Sequence, residues 1–193
     1  MHLEILVEEP SAEAALNELV PKLAPGCSFK LHAHQGKHDL LARLPAKLGG
    51  YAKWLPADYR IVILLDEDRQ DCVVLKERVL AEGRKVGLSR SLLCRIAVEE
   101  LESWFLGDVP ALMKAYPGVP PTLGARRKYR DPDKIAGGTW EALERVLQDA
   151  GYFKAGLAKI AAARALAPHM NVEVNTSRSF RTFRDGLRRL TKG

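Results

Sequence analysis

Short apolar runs alternate with amphipathic stretches through the first half of the chain. Four of these runs have the length and composition of β-strands, at residues 2–7, 28–33, 60–65 and 91–98. Apolar side chains at helical spacing predict a helix after each of them, at residues 11–23, 38–53, 70–84 and 99–106. Ser11 is the expected cap of the first helix. This alternation predicts an α/β fold in which a parallel sheet is sandwiched by helices.

The pattern changes after residue 108. Proline and glycine punctuate residues 109–133, and the remaining apolar spacing predicts helices at residues 139–150, 155–167 and 177–191. We therefore interpret residues 1–108 as the α/β core. Residues 109–193 are interpreted as a helical C-terminal extension that packs on this core or beside it.

Composition supports a globular protein and argues against several other classes. Apolar residues make up 47% of the 193-residue chain, which is enough for a substantial core. No apolar run approaches the ~20 residues that span a bilayer, and no signal-peptide pattern appears, so we expect a cytoplasmic protein without a membrane partner. The cysteines Cys27, Cys72 and Cys94 form no C-x-x-C pair, which disfavours a zinc site or a disulfide framework.

Two acidic motifs follow predicted strands. Glu8 and Glu9 come directly after the first strand, and Asp66, Glu67 and Asp68 follow the third. Ligand sites of parallel α/β sheets lie outside the carboxyl ends of the strands, where side chains of neighbouring strands can meet. If the chain stays extended there, Asp66 and Asp68 point to the same side. Converging carboxylates favour a hard cation such as Mg²⁺ or Mn²⁺, although an Asp-x-Asp sequence can also cap a helix or face solvent.

The basic residues suggest an anionic partner. The formal net charge is +6, and the excess of bases falls in the last third of the chain. The candidate nucleic-acid-binding residues are Arg126, Arg127, Lys128, Arg130 and the weaker candidate Lys154. Tyr129 lies among the first four, and an aromatic ring beside cations suits base stacking with phosphate contacts, while Lys154 lies beside Tyr152 and Phe153 and could contact a phosphate. A solvated surface is the alternative explanation.

The remaining motifs argue against a zinc site and against ATP hydrolysis. His32, His34 and His38 lie close in sequence, but no further ligand has zinc spacing, so we interpret them as ordinary polar positions. The chain has no G-x-S-x-G, P-loop or G-x-G-x-x-G motif. We therefore do not expect the chain alone to hydrolyse ATP.

The order of the acidic motifs resembles the Toprim domain of topoisomerases, primases, recombination proteins and OLD-type nucleases. The segment L-V-E-E-P-S-A-E at residues 6–13 is similar to the motif after the first Toprim strand, and L-L-D-E-D at residues 64–68 is similar to the Asp-x-Asp after the third. The segments E-L-E-S-W-F-L at 100–106 and S-R-S-F at 177–180 resemble a bacterial family of Toprim-like proteins related to OLD and RloB-like proteins.

The resemblance implies roles for individual residues. Glu8 matches the Toprim glutamate, which is a metal ligand or a general acid or base, and Asp66 and Asp68 match the Mg²⁺-binding pair. Apart from the resemblance, Glu100 or Glu102 is a further candidate ligand in the helix predicted to begin near residue 99, where the helix dipole alone also favours acids. Glu9 replaces the glycine of the Toprim motif, so it either hinders the approach of nucleic acid or adds a ligand.

These observations lead to three hypotheses. The first is a metal-dependent phosphoryl-transfer enzyme, namely a nuclease that acts on DNA or RNA phosphodiesters. The alternative is a non-catalytic Toprim-like module that binds nucleic acid or a partner protein. A small phosphate-ester hydrolase or nucleotide-handling enzyme is the third. By analogy with related Toprim systems, any ATPase would be a separate partner.

Overall fold

The computed structural model describes residues 1–68 and 70–192, and its centre is a four-stranded, all-parallel sheet in the order β2-β1-β3-β4. The strands are β1 (His2–Val7), β2 (Ser28–Ala33), β3 (Tyr59–Asp66) and β4 (Leu92–Ala97). The helices are α1 (Pro10–Leu23), α2 (Lys37–Trp54), α3 (Cys72–Lys85), α4 (Glu102–Leu106), α5 (Val109–Ala115), α6 (Thr139–Asp149), α7 (Lys159–Leu166) and α8 (Arg178–Lys192). The predicted α/β fold with a parallel sheet between helices is confirmed.

Each face of the sheet is covered by its own helical layer, because side chains alternate along the strands. Leu3, Ile5 and Val7 of β1 join an apolar cluster with residues of α1 and of α4 to α8. Leu6 belongs to a second cluster, formed with residues of β3, α2 and α3. A shift of one residue would turn these side chains to the wrong face, so the register that pairs Val7 with Leu64 of β3 is specified. The carboxyl ends of β1 and β3 consequently lie side by side.

The helices after β4 share the apolar cluster of α1. Trp104 of α4 is fully buried and packs against Phe180 and Phe183 of α8. The boundary placed at residue 108 stays a prediction. Within residues 1–68 and 70–192, no helix is both long and apolar enough to cross a membrane.

Two helix starts differ from the sequence-based expectation. The prediction that Ser11 caps the first helix is wrong, because Glu9 is the N-cap residue and Pro10 opens α1. Proline is well suited to the first helical position, where its missing N–H has no intrahelical partner. The helix α5 was not predicted, because prolines and glycines are frequent at residues 109–133. Pro110 is the second residue of α5, where the missing N–H likewise has no intrahelical partner. Asp108 caps that helix through its carboxylate.

Candidate active site

A buried glutamate joins the ends of β1 and β3. Glu8 directly follows β1, and only 5% of the residue is exposed. Its Oε1 accepts a hydrogen bond at 2.8 Å from the backbone N–H of Asp66, the last residue of β3. The backbone N–H of Gly36 donates to the Glu8 carbonyl at 2.8 Å, which holds the turn after β2 against the same edge. The structure thus brings Glu8 and Asp66 together at the carboxyl edge of the sheet.

A small cavity lies beside these two residues. It has a volume of about 10 Å³, and its walls include Glu8, Glu9, Asp66 and Glu102. A cavity of this size has room for about one water molecule. Glu102 opens α4 and is 3% exposed. Acidic side chains from the ends of two strands and the start of a helix therefore border one space.

The surroundings of these carboxyl groups disfavour their charged forms. Burial raises the pKa of Glu8 to about 7, although the Asp66 N–H opposes this shift. Burial likewise raises the pKa of Glu102 to about 7, against the attraction of Lys159. The pKa of Asp66 is raised well above its ordinary range, first by burial and then by the charges of Glu8 and Glu102. A bound proton or a cation would relieve this repulsion.

Asp68 lies at the rim of the site and pairs with a lysine. The chain does not stay extended after β3, since Asp68 has a φ of 49°, so the condition under which Asp66 and Asp68 were expected to point to the same side is not met. Lys37 Nζ lies 2.8 Å from Asp68 Oδ2 and donates to the Glu67 carbonyl at 3.2 Å. The pair with Lys37 would therefore have to open before both carboxylate oxygens of Asp68 could bind a metal ion.

The acids before α4 have different roles. The prediction of a helix from residue 99 is wrong, because Glu99 has a φ of 59° and α4 begins at Glu102. Glu100 Oε2 accepts hydrogen bonds from the hydroxyl and N–H of Thr139 and from the N–H of Trp140, at 2.9 to 3.1 Å. Glu100 therefore caps α6, whereas Glu102 borders the small cavity.

A second lysine reaches the site from α7. Lys159 Nζ lies 3.8 Å from Glu102 Oε1, 3.9 Å from Glu9 Oε2 and 5.7 Å from the Trp140 ring centroid. Burial disfavours the charge of Lys159, but the carboxylates of Glu102 and Glu9 raise its pKa above the ordinary value. Sequence reasoning missed Lys159 and Lys37. Each is an ordinary lysine at the start of a helix, and no sequence signal distinguishes it.

The predicted nucleic-acid-binding residues are exposed on the surface. They are Arg126, Arg127, Lys128, Arg130 and Lys154. Lys128 Nζ lies 5.4 Å from the Tyr129 ring centroid. None of the five borders the cavities next to Glu8, Glu9 or Asp68. Their role in binding nucleic acid stays a prediction.

The S-x-S-F element has a structural explanation. Ser177 Oγ donates to Asp133 Oδ1 at 2.7 Å, and the Ser179 N–H donates to Asp133 Oδ2 at 2.7 Å. Trp104 Nε1 donates to Ser179 Oγ at 3.0 Å. Through these hydrogen bonds the element links the start of α8 to α4, the helix that begins with Glu102.

The histidines do not share one element: His32 lies in β2, His34 directly follows it and His38 lies in α2. His32 Nε2 lies 2.5 Å from Glu4 Oε2. The His34 ring is buried, and its Nδ1 donates to the Val7 carbonyl at 2.9 Å. Across residues 1–68 and 70–192, no three side chains of histidine, cysteine, aspartate or glutamate are already arranged to hold a metal ion.

Comparison with known protein families identifies the family of the chain. A family described as a domain of unknown function, DUF4276, matches residues 7–188. The chain belongs to the DUF4276 family. The match begins at Val7, the last residue of β1, and spans the other three strands, the candidate site and most of α8. Neither a curated protein nor a solved structure is detectably similar to the chain. DUF4276 membership assigns no activity, and the likeness to Toprim and OLD-type nucleases therefore rests on the motifs alone.

Proposed function

We propose that this DUF4276 protein is a metal-dependent phosphoryl-transfer enzyme, and specifically a nuclease that cleaves DNA or RNA phosphodiesters. The observation that carries the proposal is that Glu8, Asp66 and Glu102 border one small cavity at the carboxyl edge of the sheet. The pKa of each is raised, chiefly by burial. Buried carboxylates with raised pKa values, at the carboxyl ends of parallel strands, are typical of functional sites. The motif order supports a Toprim-like arrangement of this site.

The donor set fits Mg²⁺ or Mn²⁺, because all the candidate ligands are carboxylate oxygens. Asp66 would hold the ion together with Glu8 and Glu102, and Asp68 would join after release from Lys37. Since no three of the described side chains are already arranged to hold an ion, metal binding requires side chains to turn. When bound, the ion would polarise a phosphodiester and lower the pKa of a coordinated water.

Glu8 would contribute acid–base chemistry of its own. With a pKa of about 7, its carboxyl group gains and loses a proton near neutral pH. Its Oε1 is held by the Asp66 N–H, so the second oxygen is the one that would carry the proton.

The proposed partners are a nucleic acid, contacted by the exposed cations at residues 126–130 and by Lys154, and a separate ATPase by analogy.

The test is a cleavage assay with a matched pair of variants. Single- and double-stranded DNA and RNA are incubated with Mg²⁺ or Mn²⁺ and with wild type, Asp66→Asn or Asp58→Asn. Asp58 is exposed before β3, at the opposite end of the strand from Asp66. We expect metal-dependent cleavage by wild type and Asp58→Asn, and a loss of at least about 100-fold in Asp66→Asn. Cleavage that does not depend on Asp66, or none by wild type, would overturn the proposal.

A non-catalytic module is the second candidate. It is favoured by the Lys37–Asp68 pair at 2.8 Å, which already neutralises one proposed ligand, and by Glu9 in place of the motif glycine. This candidate predicts nucleic-acid binding that persists in EDTA and no calorimetric signal on addition of Mn²⁺. Metal-dependent turnover would exclude it.

A further inference from the structure

Lys37 and Lys159, the two lysines of the candidate site, differ in the hydrogen bonds that their ammonium groups make. Lys37 lies 2.8 Å from Asp68 and donates to the Glu67 carbonyl at 3.2 Å. Lys159 lies 3.8 Å from Glu102 and 3.9 Å from Glu9, and both distances exceed the ~3.2 Å limit of an N–H···O hydrogen bond. Among the residues that the structure describes, none accepts a hydrogen bond from the Lys159 ammonium. Its three N–H donors therefore remain open to a ligand.

Lys159 also lies on the wall of a larger cavity next to the carboxylates. This cavity has a volume of about 390 Å³, and its walls include Pro10, Leu157 and Ile160 as well as Lys159. Glu9 and Ser11 border both this cavity and the small one that contains Asp66. The volume falls in the range of about 300–1,000 Å³ that is typical of small-molecule sites. Lys159 therefore stands where a substrate in the larger cavity would meet the carboxylates.

The backbone around this cavity adds to its preference for anions. Ala158, the N-cap residue of α7, offers no side chain to the first N–H groups of that helix, and Lys159 is its first residue. These N–H groups have no intrahelical partners and carry the positive end of the helix dipole. Ser11 is buried in the first turn of α1, and its hydroxyl donates to Glu9 Oε2 at 3.3 Å. The Ser11 hydroxyl is thus already used by Glu9, and the amino terminus of α7 is the part of the backbone at this cavity that favours an anionic oxygen.

We propose that Lys159 binds an anionic phosphate oxygen of the substrate at the junction of the two cavities. The identity of the substrate rests on the proposed function, whereas the open ammonium group and the cavity do not. On binding, the ammonium group exchanges two long contacts with carboxylates for a charged hydrogen bond to the phosphate oxygen. Lys159 stays protonated throughout, because the phosphate oxygen that it meets is negatively charged. It is a binding residue, while Lys37 is a structural one.

The first experiment needs no turnover. Thermal unfolding of wild type, Lys159→Met, Lys159→Arg and the exposed-lysine control Lys53→Met is followed in inorganic phosphate and in chloride of equal ionic strength. We expect phosphate to raise the unfolding midpoint of wild type and Lys53→Met, because a ligand that binds the folded state stabilises it. Lys159→Met loses this response, and Lys159→Arg retains part of it. An equal response in Lys159→Met, or none in wild type, overturns the proposal.

The second experiment separates this inference from the proposed function. Hydrolysis of bis(4-nitrophenyl) phosphate with Mn²⁺ is measured for the same proteins. We expect Lys159→Met to raise KM by about 10- to 100-fold with a smaller change in kcat, since a charged hydrogen bond to the substrate is lost. If phosphate stabilises the protein through Lys159 but no diester is cleaved, the proposed function fails alone. If cleavage occurs with an unchanged KM in Lys159→Met, the inference about Lys159 fails alone.

Discussion

Two buried glutamates, near opposite ends of β1, have contrasting surroundings. Glu4 is 6% exposed and has three side-chain partners: His32 at 2.5 Å, Tyr51 at 2.9 Å and His2 at 3.2 Å. Burial acts to raise the pKa of Glu4, but the hydrogen bonds from His32 and Tyr51 outweigh it, and the net shift is downward. Glu8 is 5% exposed and accepts one backbone N–H, and its pKa is raised to about 7.

The contrast separates a carboxylate with a structural role, Glu4, from Glu8, the one that we propose to be functional. The partners of Glu4 come from β1, β2 and α2, so its charge is stabilised within the protein and helps to hold these elements together. The neighbours of Glu8 are chiefly other carboxylates, and the folded protein does not supply enough hydrogen bonds or cations to balance their charges. A site that is left unsatisfied at a cost in stability is expected where a ligand supplies the missing partner.

The largest expected effect concerns the two isosteric substitutions. Glu4→Gln removes the charge that Tyr51 and the histidines satisfy, and we expect it to lower the free energy of unfolding by about 3 kcal/mol at pH 8 without metal. Glu8→Gln keeps an oxygen for the Asp66 N–H and removes repulsion, so we expect a change within about 1 kcal/mol, or a gain. Urea unfolding of both variants measures the difference. Equal destabilisation would show that Glu8 is as well satisfied as Glu4.

The second prediction concerns pH. Because the pKa values of Glu8 and Glu102 are raised to about 7 in the folded state, that state holds more protons than the unfolded chain above pH 4.5. The free energy of unfolding should therefore fall by about 2 kcal/mol as pH rises from 6 to 7 in metal-free protein, about 1 kcal/mol for each of the two groups. Glu4 acts in the opposite sense: its stabilisation is lost as pH falls through its lowered pKa.

Urea titrations at successive pH values, in EDTA, measure this slope. Glu102→Gln removes one of the two groups and should flatten the curve between pH 5 and 8, while Glu144→Gln, a control outside the small cavity, should not. A stability that rises across this interval in wild type would contradict the raised pKa values.

The smallest expected effect concerns one hydrogen bond of the structural cluster. Tyr51→Phe removes the donor to Glu4 Oε2 and leaves the two histidines in place. We expect a loss of about 1 kcal/mol in the free energy of unfolding, with no change in Mn²⁺ affinity. Calorimetric unfolding together with Mn²⁺ titration measures both quantities. A change in metal affinity would show that the two ends of β1 are coupled.

The sequence predicted the sheet well because the strands are apolar runs with clear boundaries. It also predicted that acids at the ends of β1 and β3 would meet, since parallel strands end at the same edge. It did not predict the left-handed conformation of Asp68 or the cap formed by Glu100, because both depend on contacts with segments distant in sequence. Nor did it predict Lys159, whose partners Glu9 and Glu102 lie more than 50 residues away in the chain.

The most direct test of the central claim, that the acids around Asp66 form a site for a divalent cation, is calorimetric titration of Mn²⁺ into wild type and Asp66→Asn between pH 6 and 8. We expect one ion to bind wild type with an affinity that rises with pH and with release of protons, because metal binding requires ionised carboxylates. Asp66→Asn should not bind. Absence of binding by wild type at pH 8, or equal binding by Asp66→Asn, would contradict the account.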